Sequence, residues 1–451
     1  MKKVITYGTF DLFHNGHYNI LKRAKALGDY LIVGVTSENY DKLRGKLNVK
    51  QSLIERIENV KKSGFADEII VEEYFGQKID DIKKYKVDKF VIGSDWLGKF
   101  DYLKEYCEVI YLERTKGVSS TQLRSQEKGI IKLGCVGAGR IAERMCKESK
   151  FVSGINFDYV FGRNEEKIKD FAERNDLKYY NTNFDDFLKE VDAVYIATPH
   201  LTHYEFAKNA MENGKHVLCE KPLTLEKSKA EELYKIAKNN NVVLYEAIKT
   251  VYSPAFIRLI SLVKSGVIGE IKDVDATFTK LESNYSLREF DKNQAGGSVT
   301  ELVTYPLIAI LKILGLEYED IKFFSYYGEK EVDLYTKIFI KYKKAIASAQ
   351  VGLGVKKEGE LIISGTKGYI VVPAPWWKTE YFEIRGENPY EVEKYFYKFD
   401  GDGLRYELSE FLKSIQNNTE NMCLKEAESV KLCEIIEKFR RNTKGDTYRL
   451  F

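Results

Sequence analysis

Residues 114–142 constrain this chain more than any other stretch. They read RTKGVSSTQLRSQEKGIIKLGCVGAGRIA. The first half ends in a cluster of small and hydroxyl residues that opens a helix predicted over 121–125. The second half is an apolar strand, 130–136, running directly into Gly137-Ala138-Gly139. Backbone N–H groups at a helix start meet phosphate in both settings. One half finishes a nucleotide site and the other begins a different one. The chain is therefore read as two nucleotide-using parts joined by a linker of only residues 125–129.

Length agrees with that plan, since 451 residues exceed one ordinary core. The 71 basic and 68 acidic residues leave a net charge of +3, which gives no electrostatic case for nucleic acid or a membrane surface. The six cysteines form no CxxC pair, so a reduced, cytoplasmic protein is expected, with no protein-held metal. No apolar run approaches the ~20 residues of a membrane span.

In the first part, residues 2–7 read as a buried strand, followed by the turn Gly8-Thr9-Phe10-Asp11 and then His14-Asn15-Gly16-His17 at the start of an amphipathic helix. Two histidines at i, i+3 share one side of a helix start. Imidazoles there can donate to phosphoryl oxygens as charge builds during displacement at phosphorus. Gly16, lacking a Cβ, permits close approach of a triphosphate. Residues 52–62 read as a helix with a Ser-Leu-Ile-Glu capping box. Strands are expected at 30–35, 68–71, 89–92 and 109–112. Strand and helix alternate, which implies a parallel sheet covered on both faces.

The GTFD and HNGH stretches, Arg114-Thr115-Lys116-Gly117-Val118-Ser119-Ser120-Thr121, and Gly93-Ser94-Asp95-Trp96 together resemble the cytidylyltransferase superfamily. Within it they are most similar to glycerol-3-phosphate cytidylyltransferases. The resemblance implies that His14 and His17 stabilise the transition state on the CTP phosphates, with Gly8, Thr9, Phe10, Asp11 and Gly16 around them. It places Ser119 and Ser120 on the β/γ end with Arg114, Thr115 and Gly117, and Asp95 and Trp96 near the cytidine. Lys46 and Arg56 would face the polyol phosphate, with Arg44 and Lys50 as rivals to Lys46 on the same loop. Mg²⁺ would accompany CTP. Such activated polyols feed teichoic acid or capsule polymers.

In the second part, Gly137-Ala138-Gly139-Arg140-Ile141-Ala142 is a GxGxxA turn between a strand and a helix, suited to a pyrophosphate. The second strand ends at Phe161. No acidic residue stands there for a ribose 2′-OH, whereas Arg163 could pair with a 2′-phosphate, favouring NADP over NAD. Residues 215–220 form a strand whose end presents Lys221 to the cofactor crevice, where an ammonium can polarise a carbonyl or relay a proton. The glycine turn, Ala197-Thr198-Pro199, His203, Glu220-Lys221-Pro222 and Glu246-Ala247 resemble the Gfo/Idh/MocA oxidoreductase family. That resemblance implies cofactor binding by Gly137, Gly139, Arg140, Ile141, Arg163, Thr198, Pro199, His203, Glu220 and Lys221.

The family's catalytic helix carries Asp, then Gly, then His or Tyr at two-residue steps. Here Glu301 replaces the Asp, Val303 replaces the Gly, and Tyr305 fits. The i, i+4 spacing predicts Glu301 and Tyr305 on one helix face, with Tyr305 and Lys221 as the proton-transfer pair. From residue 270 onward apolar and polar residues alternate, the sign of an antiparallel sheet covered on one face. Trp376 and Trp377 are expected to pack or to meet a partner subunit, and the last two helical patterns to be packing elements.

The expected architecture is α/β: a Rossmann-like nucleotidyltransferase domain (1–127), a Rossmann dinucleotide-binding domain (128–250), and an α+β domain with a mostly antiparallel open sheet (251–451). The expected function is bifunctional. The substrates are CTP, a polyol phosphate and a small ketose or aldose, and the chain is a homo-oligomer. The departures at Glu301 and Val303 leave open a plain cytidylyltransferase carrying a non-catalytic NAD(P)-binding sensor or scaffold.

Overall fold

The computed structural model describes residues 1–37, 40–41, 49, 51–113, 129–441 and 447–450. Lys46, Arg114, Thr115, Gly117, Ser119 and Ser120, the rivals Arg44 and Lys50, and the helix expected over 121–125 lie outside these residues. The chain divides into two compact units, Met1–Ile130 with Phe151–Gly154, and Ile131–Lys150 with Ile155–Phe451.

In the first unit, β1 (Lys3–Gly8), β2 (Tyr30–Thr36), β3 (Glu68–Glu72), β4 (Lys89–Gly93) and β5 (Glu108–Leu112) form one parallel sheet in the order β3-β2-β1-β4-β5. The central strands are continuous apolar runs because both faces are covered. Val4 joins the core under α1 (Asn15–Lys25) and α2 (Leu53–Lys62), while Ile5 and Tyr7 join the opposite core with α3 (Gln77–Tyr85). The capping box forms as expected: Ser52 Oγ accepts from the Glu55 N–H, and Glu55 reaches back to the Ser52 N–H. Strand order reverses between β1 and β4, so the carboxyl end of β1 lies at the crevice where open α/β sheets bind ligands.

The second unit begins with a six-stranded parallel sheet. Its strands are β6 (Ile131–Val136), β7 (Ile155–Phe161), β8 (Tyr179–Asn181), β9 (Ala193–Ile196), β10 (His216–Glu220) and β11 (Leu244–Ala247), in the order β11-β10-β9-β6-β7-β8. Its reversal falls between β6 and β9. A nine-stranded sheet follows, built from β12 (Ile271–Thr279), β13 (Asp320–Tyr327), β14 (Asp333–Lys341), β15 (Ile346–Gly352), β16 (Leu361–Gly365), β17 (Tyr369–Val372), β18 (Tyr381–Arg385), β19 (Val392–Phe396) and β20 (Thr447–Leu450), in the order β19-β18-β17-β16-β12-β15-β14-β13-β20. It is mostly antiparallel, as the alternation implies. However, β12 (Ile271–Thr279) runs parallel to β15 (Ile346–Gly352), and β13 (Asp320–Tyr327) parallel to β20 (Thr447–Leu450). The strands β18 (Tyr381–Arg385) and β19 (Val392–Phe396) were not expected. They close one end of the sheet, and in β19, the edge strand, exposed polar side chains mask the pattern.

Trp376 is fully buried, its indole N–H donating to Thr277 O at 2.8 Å, and Trp377 stacks on Phe278. The helices Leu404–Asn417 and Glu426–Arg441 pack on this unit through buried apolar faces. No helix among the described residues is by itself long and apolar enough to cross a membrane.

Candidate active sites

In the first unit the chain leaves β1 at Gly8 and re-enters helix at Asn15. His14 caps α1, its Nδ1 accepting from the Gly16 N–H at 3.0 Å. An accepting Nδ1 puts the neutral ring's proton on Nε2, the nitrogen then able to donate. His17 stacks on His14 with ring centroids 3.9 Å apart, and the rings of Phe10 and Phe13 press against His17. The two imidazoles are thus brought together and held by packing. Phe10 and Leu12 both adopt positive φ, at 54° and 47°. Such left-handed backbone in non-glycine residues costs energy and clusters at functional turns.

A polar network beneath the turn fixes it. Thr9 and Thr36 both donate their hydroxyls to Asp41 Oδ1, at 3.0 and 2.7 Å. Asp11 accepts from the Gln51 N–H at 3.0 Å, and Gln51 accepts from the Leu12 N–H at 2.8 Å. Arg56 was expected to face substrate. It is instead wholly buried, with Nη1 donating to Thr9 O, Thr36 O and Asp41, and Nε to Gln51 O. Its charge braces the turn from below; the i, i+4 pattern of α2 turns this position inward. The Phe10 ring is likewise buried, as support for His17.

Asp95 and Trp96 follow β4 directly in the 3-10 turn Ser94–Trp96, at the same sheet edge, with Asp95 exposed. Lys78 passed unnoticed in the sequence. It is buried against Glu72 at the end of β3, its ammonium 4.5 Å from the Tyr7 ring centroid. A lysine on a helix reads as solvated until tertiary packing places it at the strand ends.

In the second unit the turn after β6 is a cradle that side chains would fill. Gly137 has φ +107°, and a Cβ there would meet Ala197 O at 2.8 Å. Gly139 caps α4 (Arg140–Ser149) with no side-chain bond, leaving the helix's first N–H groups for an anion. Ala142 is fully buried beneath the turn. Ile141 is half-buried, Arg163 stands exposed just past β7, and Arg140 pairs with Glu289 at 2.8 Å. These residues fit a dinucleotide pyrophosphate.

On the other side of the crevice, Thr198 accepts from the Thr202 hydroxyl at 2.8 Å, and Thr202 also donates to Pro199 O at 2.8 Å. His203, expected to touch the cofactor, is fully buried. Its two ring nitrogens lie 2.9 Å from Pro222 O and Thr198 O, so it ties two strand ends together. Burial pushes its pKa down to about 4, although both carbonyl contacts pull it up. Glu220 accepts the Tyr195 hydroxyl at 2.5 Å, and burial holds its carboxyl above the usual range.

Lys221 donates to Glu301 O at 2.8 Å, and its ammonium lies 5.8 Å from the Tyr305 ring centroid. The sequence expectation of one helix face needs correction. The helix breaks at Val303 into α5 (Ser298–Leu302) and α6 (Thr304–Leu314), bent by 45°. Pro306 lacks an N–H and is tolerated only in a first helical turn, so a fresh start at Thr304 accommodates it. Lys221 therefore meets the Glu301 backbone, while the Glu301 carboxylate turns to Arg288 at 3.0 Å, with His200 Nε2 at 3.8 Å.

Burial raises the Glu301 pKa, while Lys221 and Arg288 oppose that shift. Burial, then His203 and Arg288, hold His200 well below its ordinary value. Burial, with Glu220 and Glu407 nearby, pushes the Tyr305 hydroxyl far up, so it keeps its proton at neutral pH. Arg288 and His200 were not expected here. They lie 13 and 101 residues from Glu301 in the sequence, and only the fold joins them.

Two sites of different character thus stand on one chain: a paired-imidazole turn suited to transfer at phosphorus, and a glycine cradle facing a lysine and a protonated tyrosine, suited to hydride chemistry. The comparisons with known proteins agree. Residues 5–126 match the family described as cytidylyltransferase-like. Residues 131–248 match the oxidoreductase family with NAD-binding Rossmann fold, and residues 256–371 the GFO/IDH/MocA C-terminal domain.

The chain is 54% identical over 129 residues to glycerol-3-phosphate cytidylyltransferase of Bacillus spizizenii, covering 28% of this chain and 95% of that one. It is 27% identical over 292 residues to trans-1,2-dihydrobenzene-1,2-diol dehydrogenase of Bos taurus, covering 62% and 87%. Its fold matches a 3-ketoreductase from Actinomadura kijaniata, solved with NADP and TDP-benzene, at TM-score 0.64 and 20% identity over 71% of this chain and 98% of that one. The protein is an enzyme uniting a nucleotidyltransferase with an NAD(P)-dependent oxidoreductase. It belongs to the cytidylyltransferase-like family through its first part and to the Gfo/Idh/MocA family through its second.

Proposed function

We propose that the second unit reduces a small ketose or aldose, or its phosphate, with NADPH, and that the first unit couples a polyol phosphate to CTP, giving a CDP-polyol and pyrophosphate. CDP-glycerol or an isomer is the product, destined for teichoic acid or capsule polymers. The observation that carries the reading is the presence of both constellations on one chain: His14 stacked on His17 in one unit, and Lys221 beside Tyr305 in the other.

In the first site a phosphate oxygen of the polyol phosphate attacks the α-phosphorus of CTP, and the bond to pyrophosphate breaks. His14 and His17 donate to the phosphoryl oxygens as charge builds there. The protein needs no nucleophile of its own. Lys46 neutralises charge on the attacking phosphate, while Ser119 and Ser120 hold the β/γ end with Arg114 beside them, Thr115 and Gly117 on the same loop, and Mg²⁺ accompanying the triphosphate.

In the second site the dinucleotide, when bound through Gly137, Gly139 and the start of α4, supplies a hydride. Lys221, fixed by the Glu301 carbonyl, polarises the substrate carbonyl, and the Tyr305 hydroxyl gives the proton that completes the alcohol. Arg163, beside the ribose end, favours NADP. The chain works in the cytoplasm as a homo-oligomer.

Mass spectrometry of products formed with CTP, NADPH and a panel of triose and pentose substrates tests the whole scheme. A CDP-polyol whose formation requires NADPH and a carbonyl is the expected result. Turnover of CTP with glycerol phosphate but of no carbonyl would reduce the second unit to a dinucleotide-binding sensor or scaffold. Faster pyrophosphate release from ATP than from CTP would sink the cytidylyl assignment.

A further inference from the structure

Three cations near the reacting groups of the second site have partners: Lys221 with the Glu301 carbonyl, Arg288 with the Glu301 carboxylate, and Lys378 with Asp402 at 3.0 Å. Lys249 does not. Among the described residues its ammonium has no hydrogen-bond or ion-pair partner, although the residue is only 8% exposed. A buried lysine without a counter-ion is costly.

Its position is set by the sheet. Ala247, the last residue of β11, lies in register with Glu220, the last residue of β10, so Lys249 leaves the sheet beside Lys221. Glu220 feels both Lys221 and Lys249, and the Tyr305 hydroxyl feels Glu220. Thr250 donates to Trp377 O at 2.8 Å, tying this turn to the wall in which Trp377 stacks on Phe278 and Phe278 meets the Tyr305 ring.

The nearby carboxyls do not discharge Lys249. Asp402 is taken by Lys378, and Glu220 by the Tyr195 hydroxyl. Glu407 is fully buried, neither of its oxygens is hydrogen-bonded, and burial with Glu220 nearby holds its carboxyl well above the usual range. Burial and Lys378 push the Lys249 pKa down, and an anion arriving beside the ammonium would act against both.

We infer that Lys249 receives the phosphate group of the carbonyl substrate, so that the second site takes a phosphorylated small ketose or aldose in preference to the free sugar. This rests on the reductase reading above. It also fits the chain's other half, because reducing such a substrate yields a polyol phosphate, the class of nucleophile the first site consumes, with no separate phosphorylation step.

The test is NADPH oxidation by the full chain with matched pairs: dihydroxyacetone phosphate against dihydroxyacetone, and glyceraldehyde 3-phosphate against glyceraldehyde. The wild type should favour the phosphorylated member of a pair by about 50-fold in kcat/KM, the scale of one charged hydrogen bond. Lys249→Met should bring the ratio close to one by raising KM for the phosphorylated member, and Lys249→Arg should recover part of it. Unchanged NADPH affinity shows that the variant is folded. Equal kcat/KM within each pair for the wild type, or an equal fall for both members in Lys249→Met, overturns the proposal.

If no carbonyl is turned over, inorganic phosphate is titrated onto the NADPH-loaded protein and thermal unfolding of the second unit is followed. A stabilisation present in the wild type and lost in Lys249→Met keeps the anion site while the reductase reading fails. No Lys249-dependent stabilisation removes the site as well.

Discussion

The turn after β1 and the turn after β6 solve related problems with different chemistry. Both lie where a parallel sheet reverses its strand order, and both lead into a helix N-terminus. The first brings side chains to the anion: His14 and His17 stack within one helical turn, above a buried Thr9–Asp41–Arg56 network. The second removes them, since Gly137 has no room for a Cβ and Gly139 caps α4 without one. Where the phosphate is the reacting group, donors are needed at phosphorus. Where it only anchors a cofactor, backbone suffices, and the reacting groups come from elsewhere, here Lys221 after β10 and Tyr305 in α6.

The contrast breaks first at the reacting groups. His14→Ala or His17→Ala should lower CTP-dependent transfer by roughly 10²–10³-fold, the scale of losing a transition-state donor, and leave NADPH oxidation intact. Lys221→Ala should do the reverse, lowering NADPH oxidation by roughly 10²–10⁴-fold while pyrophosphate release from CTP persists. Paired steady-state assays on the same preparations check both; loss of both activities from either change would mean the sites are not separate.

The backbone half of the comparison sharpens with Gly137→Ala against Gly139→Ala. The first must place a Cβ at positive φ and 2.8 Å from Ala197 O, whereas at Gly139 that oxygen lies 4.0 Å away. Titration of NADPH fluorescence should show binding largely lost in Gly137→Ala and retained, though weakened, in Gly139→Ala. Equal effects would show that the glycines serve the ligand alone and not the fold.

A smaller effect concerns pH. Burial pushes Glu246 up to about 7, against an unfolded value of about 4.3. Between those values the folded chain holds a proton that the unfolded chain releases, so stability falls as pH rises through this window, by up to about 4 kcal/mol. His203, held down to about 4, acts oppositely: its contribution is lost as pH falls from about 6.5 toward 4. Glu246→Gln should remove only the first slope. The thermal midpoint of the second unit in that variant should therefore fall less between pH 5 and 7.5 than in the wild type. Parallel curves would sink the assignment. The smallest expected change is at exposed Arg163, where Arg163→Ala should cost NADPH but not NADH about tenfold in affinity.

Much of the fold was legible because its signals are local. The Ser52 capping box, the GxGxxA turn and the alternation of strand and helix each need only a few neighbouring residues, and each appears where read. Roles that depend on burial were not. Arg56 and His203 read as ligand contacts, yet the fold buries both, with Arg56 Nη1 on Asp41 and the His203 ring between two backbone carbonyls. The break at Val303 had a signal in Pro306, outweighed in the reading by the i, i+4 spacing of Glu301 and Tyr305.

The amino-acid order alone determined that the chain carries two phosphate-cradling turns and which residue types furnish them, because a strand, a glycine or histidine turn and a helix start are built from contiguous residues. Tertiary structure alone decided which groups meet. Lys221 reaches a carbonyl 80 residues away, Glu301 closes on Arg288 and His200, and Lys249 is left without a counter-ion. Those outcomes follow from how sheets and helices pack and exclude water, and that information is spread over the whole chain.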